Sequence, residues 1–386
     1  MPTTSSDGRE PLTARRLNRA TLARQLLLAR EPIPVLDAVQ RIVALQAQEA
    51  ASPYVALWNR VAGFDPVELD AALRDQSILK ASLMRITLHA VHAGDHPPFH
   101  DAMVGTLRAA RLFDRRFTAS GLTTADADAL VPEIVAFASE PRTNAEFEAR
   151  LRDTLGDLPK PGPWWALRTF APLVHAPSGG PWSFGPRPSY VAAPSKLWTG
   201  EPGTSLAWLV RRYLEGFGPA TVRDVAQFTL IRVPVIREAL ASLGDLVLER
   251  PGPNGASLFD VPDAPLPAED TPAPPRLMAM WDSVLLAYAD RSRIIPPDYR
   301  RLVIRQNGDV LPTLLVDGFV AGVWRPTPDG IEATAFQALS AADWQGLDAE
   351  ARSLRASLAD RDPALYRRYG HWWKTLPAAE VRILGA

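Results

Sequence analysis

Apolar residues recur at three- and four-residue spacing in "NRATLARQLLLAR" and "PVLDAVQRIVAL", a rhythm that predicts two amphipathic helices. A third is predicted in "DPVELDAALRD", with Asp65 placed to cap it and Pro66 at its first helical position. The pattern then shortens to alternation in "LKASLMRITLHAVHA", rich in β-branched residues, which predicts a hairpin. The same order returns twice. It runs from "TTADADALVPEIVAFAS" through "TNAEFEARLRDTL" and "WWALRTFAPLVHA" to "PSGGPWSFGPRPSYVAA". It then runs from "SLAWLVRRYLEGFG" through "TVRDVAQFTL" and "RVPVIREALASLG" to "LVLERPGPNGASLFDVP". Beyond the proline-rich linker "DAPLPAEDTPAPP" the period becomes strand-like in "RLVIRQNGD", "LPTLLVDG", "FVAGVWRP" and "GIEATAFQAL". Asn-Gly, Asp-Gly and Pro-Asp-Gly turns separate these strands, and two helices, near 341–359 and 363–374, are expected to finish the chain.

Helices followed by a hairpin form the plan of a winged helix-turn-helix unit, and tandem copies are more specific than one. The expected class is therefore α+β. Its units are expected at 1–120, 121–198 and 199–265, followed by a β-rich domain with terminal helices at 266–386.

Composition narrows the picture. A chain of 386 residues is too long for one ordinary core, and its 47% hydrophobic content is that of a globular protein. No uninterrupted apolar run approaches the roughly 20 residues a membrane span needs, and the polar start "MPTTSSDGRE" reads as a loose tail. With no cysteine there is no disulfide, thiol nucleophile or cysteine-bound zinc, and the expected location is the cytoplasm. The net charge of −1 argues against a globally basic nucleic-acid binder, though not against a local positive face. Only Lys80, Lys160, Lys196 and Lys374 supply lysine amines, so Schiff-base chemistry has few candidates.

Familiar catalytic signatures are missing. There is no Gly-x-Ser-x-Gly elbow, no phosphate loop and no dinucleotide fingerprint. His89, His92, His96 and His100 have the intervals of a helical metal site, but Pro97 and Pro98 interrupt them. "ITLHAVHAGD" instead reads as a strand running into a helix cap at Asp95, with His89 and His92 on opposite faces. No metal or organic cofactor is called for.

One break in the pattern carries chemistry. In "IVALQAQEAASPY" an apolar run ends on Gln46 and Gln48 around Ala47. On a continuing helix these side chains would lie about 200° apart; if the helix ends at Leu45 and the chain extends, they project to one side. Two amides there offer acceptors and donors without charge, able to hold a water molecule and align its lone pair. The alternative is that both amides bond neighbouring backbone at a helix end.

Together these stretches resemble the AlkZ/YcaQ family of winged-helix DNA glycosylases over nearly the whole chain. The likeness lies in "RIVALQAQEAASPYVALWNR", "LMRITLHAVHAGD", "YLEGFGPATVRDVAQFTL", "MWDSVLLAYADRSRIIP", "VLPTLLVDGFVAGVWRP" and "RRYGHWW". AlkZ-like members carry Gln–hydrophobic–Gln where YcaQ-like members end on aspartate, and Gln46-Ala47-Gln48 matches the former. The resemblance implies a monofunctional enzyme, with no lyase step, that hydrolyses the glycosidic bond of N7-alkylated purines. Bulky alkylguanines and interstrand crosslinks are among its implied substrates, in resistance to a DNA-alkylating natural product. It implies Gln46 and Gln48 as catalytic residues, and a C-shaped fold around an open channel for double-stranded DNA bearing alkylated bases. A monomer is the simplest expectation. Phosphate contacts are sought at Lys80 and Arg85 in the first wing, at Arg291 and Arg293, and at Arg305 and Arg325 near strand ends. Trp372 and Trp373 read as core or interface residues. The competing reading is a non-catalytic winged-helix DNA-binding protein, either a regulator or a lesion-binding shield.

Overall fold

The computed structural model describes residues 10–159, 161–194, 203–361 and 365–385. Residues 1–9, expected as a loose tail, and the expected 198/199 boundary lie outside the described residues, as do Lys160 and Lys196.

The first segment holds α1 (Ala14–Arg24), α2 (Val35–Arg41), β1 (Leu45–Gln46), α3 (Ser52–Trp58) and α4 (Pro66–Arg74), then the hairpin β2 (Ile78–Ser82) and β3 (Leu88–His92). Asp65 caps α4 by accepting the Val67 N–H, as its sequence predicts. Next come α5 (His96–Leu112), α6 (Arg115–Thr118), α7 (Thr124–Phe137), β4 (Arg142–Thr143), α8 (Asn144–Leu155), α9 (Gly162–Phe170), β5 (Leu173–Ala176) and β6 (Ser189–Ala192). Then follow α10 (Ser205–Phe217), α11 (Val222–Thr229), α12 (Val233–Ser242), β7 (Leu248–Pro251) and β8 (Ser257–Asp260). The carboxy-terminal part contains β9 (Arg276–Leu277), α13 (Arg300–Val303), β10 (Thr313–Val316), β11 (Phe319–Thr327), β12 (Gly330–Ala335), α14 (Ala341–Ser357) and β13 (Glu380–Leu384). Capping boxes at Thr123, Thr143, Thr221 and Ser340 start α7, α8, α11 and α14, each satisfying backbone donors that a helix start leaves unpaired.

The strands form antiparallel sheets of order β1-β3-β2, β4-β6-β5, β7-β8 and β13-β12-β11-β10-β9. The Asp317-Gly318 turn between β10 and β11 docks on α1. Asn18 donates to the Gly318 carbonyl at 2.8 Å, and both Arg15 and Arg19 pair with Asp317. Gly318 sits at φ +81, and a Cβ there would meet Asn18 Oδ1 and Leu22 Cδ1 at 2.6 Å, so the close approach requires glycine.

Several expectations change. "RLVIRQNGD" does not run as a strand: α13 takes its first residues, and strand pairing shrinks to one bridge, Ile304 to Val310. The helical turn buries Val303, and the Trp281 indole donates to the Gly308 carbonyl, bracing the Asn307–Gly308 turn. The last expected helix is a run of 3-10 turns over Arg367–Thr375. Three residues per turn align Tyr369 and Trp372, and Tyr366 precedes them in a left-handed turn (φ 57). Tyr366 then packs on Trp324 and Tyr369 on Trp281, while Trp372 donates to Asp309 at 2.8 Å. Asp95 stands at the start of α5 but caps nothing, because its carboxylate receives Trp208 and Arg212 from α10.

Candidate active site

The helix expected to reach Leu45 ends at Arg41, and Val43 adopts a left-handed conformation (φ 75) that turns the chain out of it. The next residues are captured as the third strand of the β2–β3 sheet, with Leu45 opposite Ala90 and Gln46 opposite His89. Ala47 continues the pairing by donating to the Leu88 carbonyl at 2.8 Å. At Gln48 the chain bends toward α3, with Pro53 in that helix's first turn.

The bend gives the two amides different surroundings. Gln46 is 3% exposed, whereas Gln48 is exposed. Gln46 Oε1 accepts the Gln48 backbone N–H at 2.7 Å, and Gln48 Oε1 faces the Leu88 N–H at 3.4 Å. Because a backbone N–H can face only an acceptor, the Gln46 amide cannot flip, and its buried Nε2 points away without a partner. The local backbone bonding weighed as the alternative for this pair is therefore present. Each carbonyl oxygen still keeps a second lone pair for a water proton or a positive charge.

Beneath Gln46 lies a pocket walled by Ser52, Arg60, Asp282 and Ser283, too narrow for a water-sized sphere. Arg60 and Asp282, each 1% exposed at the side chain, form a bidentate pair at 2.9 Å, and Ser283 donates to the Ala44 carbonyl at 3.0 Å. Ser52 bonds Tyr366 at 3.0 Å. These contacts fix the strand from the carboxy-terminal side.

Glu49, next to the pair, is a residue that pattern reasoning missed. Its carboxylate accepts Arg368 at 2.6 Å and the Tyr369 hydroxyl at 3.0 Å, tying the bend to "RRYG". Burial, and secondarily the Glu49 charge, push the Tyr369 hydroxyl up, so it remains a donor. His89, weighed in the sequence only as a metal ligand, has a different place. It is fully buried opposite Gln46, and burial, reinforced by Arg85, pushes its imidazole down to about 3.

The cationic candidates separate. Lys80 is 6% exposed with its ammonium 4.1 Å from the Phe184 ring centroid, and burial, opposed by Glu49, lowers it to about 8. Arg85 bonds His89 and lies over Phe228. Arg291 is partly exposed, while Arg293 donates to the Pro219 carbonyl and stacks on Tyr288. Arg305 lies over Trp372, and Arg325 is held by a bidentate pair with Glu332. Lys80 and Arg85 thus share the hairpin that pairs with the glutamine strand, whereas Arg305 and Arg325 lie against the terminal aromatic segment. Among the described residues no group of three or more histidine, aspartate or glutamate side chains is placed to hold a metal; His96 and His100 stack at 5.9 Å, and His100 Nε2 lies 3.0 Å from the Phe170 carbonyl.

Comparison with known proteins follows the same lines. The family model for AlkZ-like DNA glycosylases matches residues 39–357. An interstrand DNA cross-link repair glycosylase of Streptomyces sahachiroi is 26% identical over 364 residues, covering 89% of this chain and 96% of that protein. The solved structure of the Streptomyces sahachiroi DNA glycosylase AlkZ superposes with a TM-score of 0.79 at 22% identity, covering 91% of this chain and 98% of that one.

Proposed function

Because this chain belongs to the AlkZ-like family of DNA glycosylases, we propose that it hydrolyses the N-glycosidic bond of N7-alkylated purines in double-stranded DNA, with Gln46 and Gln48 as its catalytic residues. The observation that carries the reading is the amide pair held at a strand end by Gln46 Oε1 and the Gln48 N–H, one amide buried and the next exposed. A purine alkylated at N7 is already cationic, so it departs without a strong general acid. The protein then has to place water and stabilise positive charge developing on the sugar. Gln48, the exposed member, serves the water and the sugar, and Gln46 sets its orientation. Fixed amide dipoles do this without reorganising during the reaction.

The gap lined by Gln46 admits no purine, so the base is read as meeting the pair from its exposed Gln48 side, in the open channel the family resemblance implies. Bulky adducts then fit the reading, and the name of the Streptomyces sahachiroi relative extends it to interstrand crosslinks; a part in resistance to a DNA-alkylating natural product belongs to the same proposal. The further parts of the proposal are a cytoplasmic monomer that leaves an abasic site without a lyase step. It is read as three winged-helix units and a β-rich domain, divided as above, in a C-shape around DNA. No described helix is long and apolar enough to cross a membrane.

The test is single-turnover release of N7-methylguanine from duplex DNA by wild type, Gln46→Ala and Gln48→Ala. Excision lost in either variant with the fold retained supports the assignment. Full activity in the double variant rejects the glutamines, and no excision of N7-methylguanine or a bulkier N7 adduct by wild type rejects the substrate class.

A further inference from the structure

No acid occurs between Leu365 and Ala379, a stretch that carries Arg367, Arg368, His371 and Lys374. Its centre, Arg367–Thr375, is a run of 3-10 turns, and three residues per turn stack the side chains into three edges. One edge faces inward. Tyr369 packs on Trp281 at 5.5 Å, Trp372 donates to Asp309 at 2.8 Å, and the Thr375 hydroxyl accepts Arg305 Nη2 at 3.3 Å. The next edge is Arg368, His371 and Lys374, and all three are exposed. The segment is thus fastened along one side and presents a row of basic side chains along another.

Spacing and pairing decide what the row fits. One 3-10 turn rises about 6 Å, close to the length of one extended sugar–phosphate repeat, so Arg368 and Lys374 stand about two repeats apart. His371 lies between them, stacked on Trp372 at 4.6 Å. Its Nδ1 is 3.1 Å from the Arg368 carbonyl, which can only accept, so the ring donates there and spaces the two cations. Among the described residues no carboxylate pairs with Lys374. Arg368 meets one: its Nη2 donates to Glu49 at 2.6 Å and also to the Tyr369 hydroxyl, yet its side chain is 67% exposed. Its Nε and Nη1 are left for a second acceptor, and a guanidinium fork suits a phosphate. Glu49 directly follows the exposed Gln48, so this ion pair fixes one end of the row to the glutamine bend.

We propose that the row from Arg368 to Lys374 is a phosphate-binding edge for the backbone of the DNA strand that lies at Gln48. Arg368 and Lys374 contact phosphates. Glu49 is a positioning residue that acts through Arg368, setting the offset between the bound backbone and the glutamines. The identity of the polyanion rests on the glycosylase reading.

The experiment measures binding of a duplex containing a tetrahydrofuran abasic analogue across a salt series. Arg368→Gln and Lys374→Gln are each expected to lower the slope of log K against log[salt] by about 0.9, the value for one phosphate, and the double variant by about 1.8. Arg368→Lys should keep the wild-type slope, because it keeps the charge. Arg150→Gln, which removes a cation from α8, should leave the slope unchanged. Unchanged slopes in both Arg368→Gln and Lys374→Gln overturn the site, and a loss in only one of them overturns the row as a unit. An equal loss in Arg150→Gln also overturns it, since the slope would then report net charge alone. If Arg368→Gln fails to fold, Lys374→Gln decides by itself. Excision of N7-methylguanine at saturating protein tests Glu49. Glu49→Ala should slow excision with the salt slope kept, and Glu49→Gln, whose amide oxygen still accepts Arg368, should restore it. Wild-type excision by Glu49→Ala, or no rescue by Glu49→Gln, overturns the positioning role. Absence of excision in wild type with the slope effects intact strikes the glycosylase reading and leaves the phosphate edge standing.

Discussion

Replacing the two glutamines should give non-additive losses, because one holds the other. Gln46 Oε1 accepts the Gln48 N–H at 2.7 Å within a site that is 3% exposed. Gln46→Ala deletes that acceptor and strands a backbone donor, which costs about 1–3 kcal/mol unless the bend rearranges to reach water. Rearrangement moves Gln48, so the variant loses both amides' geometry at once. Gln48→Ala removes only a long contact, 3.4 Å from the Leu88 N–H, and leaves the Gln46 cap in place. Its effect on stability should stay under about 0.5 kcal/mol. On the proposed role, loss of one well-placed dipole slows the chemical step by about 10²–10³. If the amides acted independently, the double variant would lose the product of the two factors, about 10⁴–10⁶. The shared hydrogen bond instead predicts a double variant within about tenfold of Gln46→Ala alone. Single-turnover excision by the four proteins, with urea unfolding of each, completes the cycle. Multiplicative rate losses, or a Gln46→Ala protein as stable as wild type with Gln48 still active, would refute the coupling.

Three further outcomes follow from the same geometry. Asp282→Asn leaves the buried Arg60 guanidinium without its counter-charge and should cost about 3–5 kcal/mol in urea unfolding, whereas joint replacement by Arg60→Met and Asp282→Leu should recover much of it; equal losses would contradict this. Burial pushes His89 and His96 down to about 3 in the folded chain, against about 6.5 unfolded. The unfolded chain therefore binds the extra protons, so stability from these groups is complete above about pH 6.5 and drains away as pH falls toward 3. The urea midpoint should fall steadily from pH 7 to pH 5, and a flat profile would count against their burial. Gly318→Ala forces a Cβ to within 2.6 Å of Asn18 and Leu22 at φ +81 and should cost about 1–3 kcal/mol by the same unfolding assay, loosening α1 from the β10–β11 turn.

The alternation of the β2–β3 hairpin and the "NG", "DG" and "PDG" turns were readable because each rests on local chemistry: strand period, or a residue tolerant of left-handed backbone. The errors arise where tertiary contacts choose between local options. "RIVAL" buries its apolar residues equally well as the end of a helix or as the turn and strand it is, and only pairing with Ala90 and His89 decides. Pro97 and Pro98 interrupt the histidine spacing in sequence, yet both stand in the first turn of α5, where a missing N–H is harmless. β9 and β13 escaped notice because their partners lie far off in sequence. Arg85 could be named as a cation from composition, but its place over Phe228 and against His89 is a property of space, which no window of sequence displays.

The placement of Gln46-Ala47-Gln48 between cores explains why so short a motif can be held so firmly. Leu45 and Ala47 belong to a buried cluster that continues through Trp281, Trp324 and Tyr369 of the carboxy-terminal part. Val43 and Ala44, immediately before them, belong to a different cluster with Phe99, Trp164, Tyr213 and Phe228. The strand is therefore a seam: within a few residues it is gripped from two sides by parts of the chain distant in sequence. A two-residue strand has little stability of its own. Here its geometry is set by both neighbours, so a cavity made in either core, such as Trp324→Ala or Phe228→Ala, should reach the amides through the seam before it unfolds the protein. The Phe228 side should be the more telling, since that ring also supports Arg85.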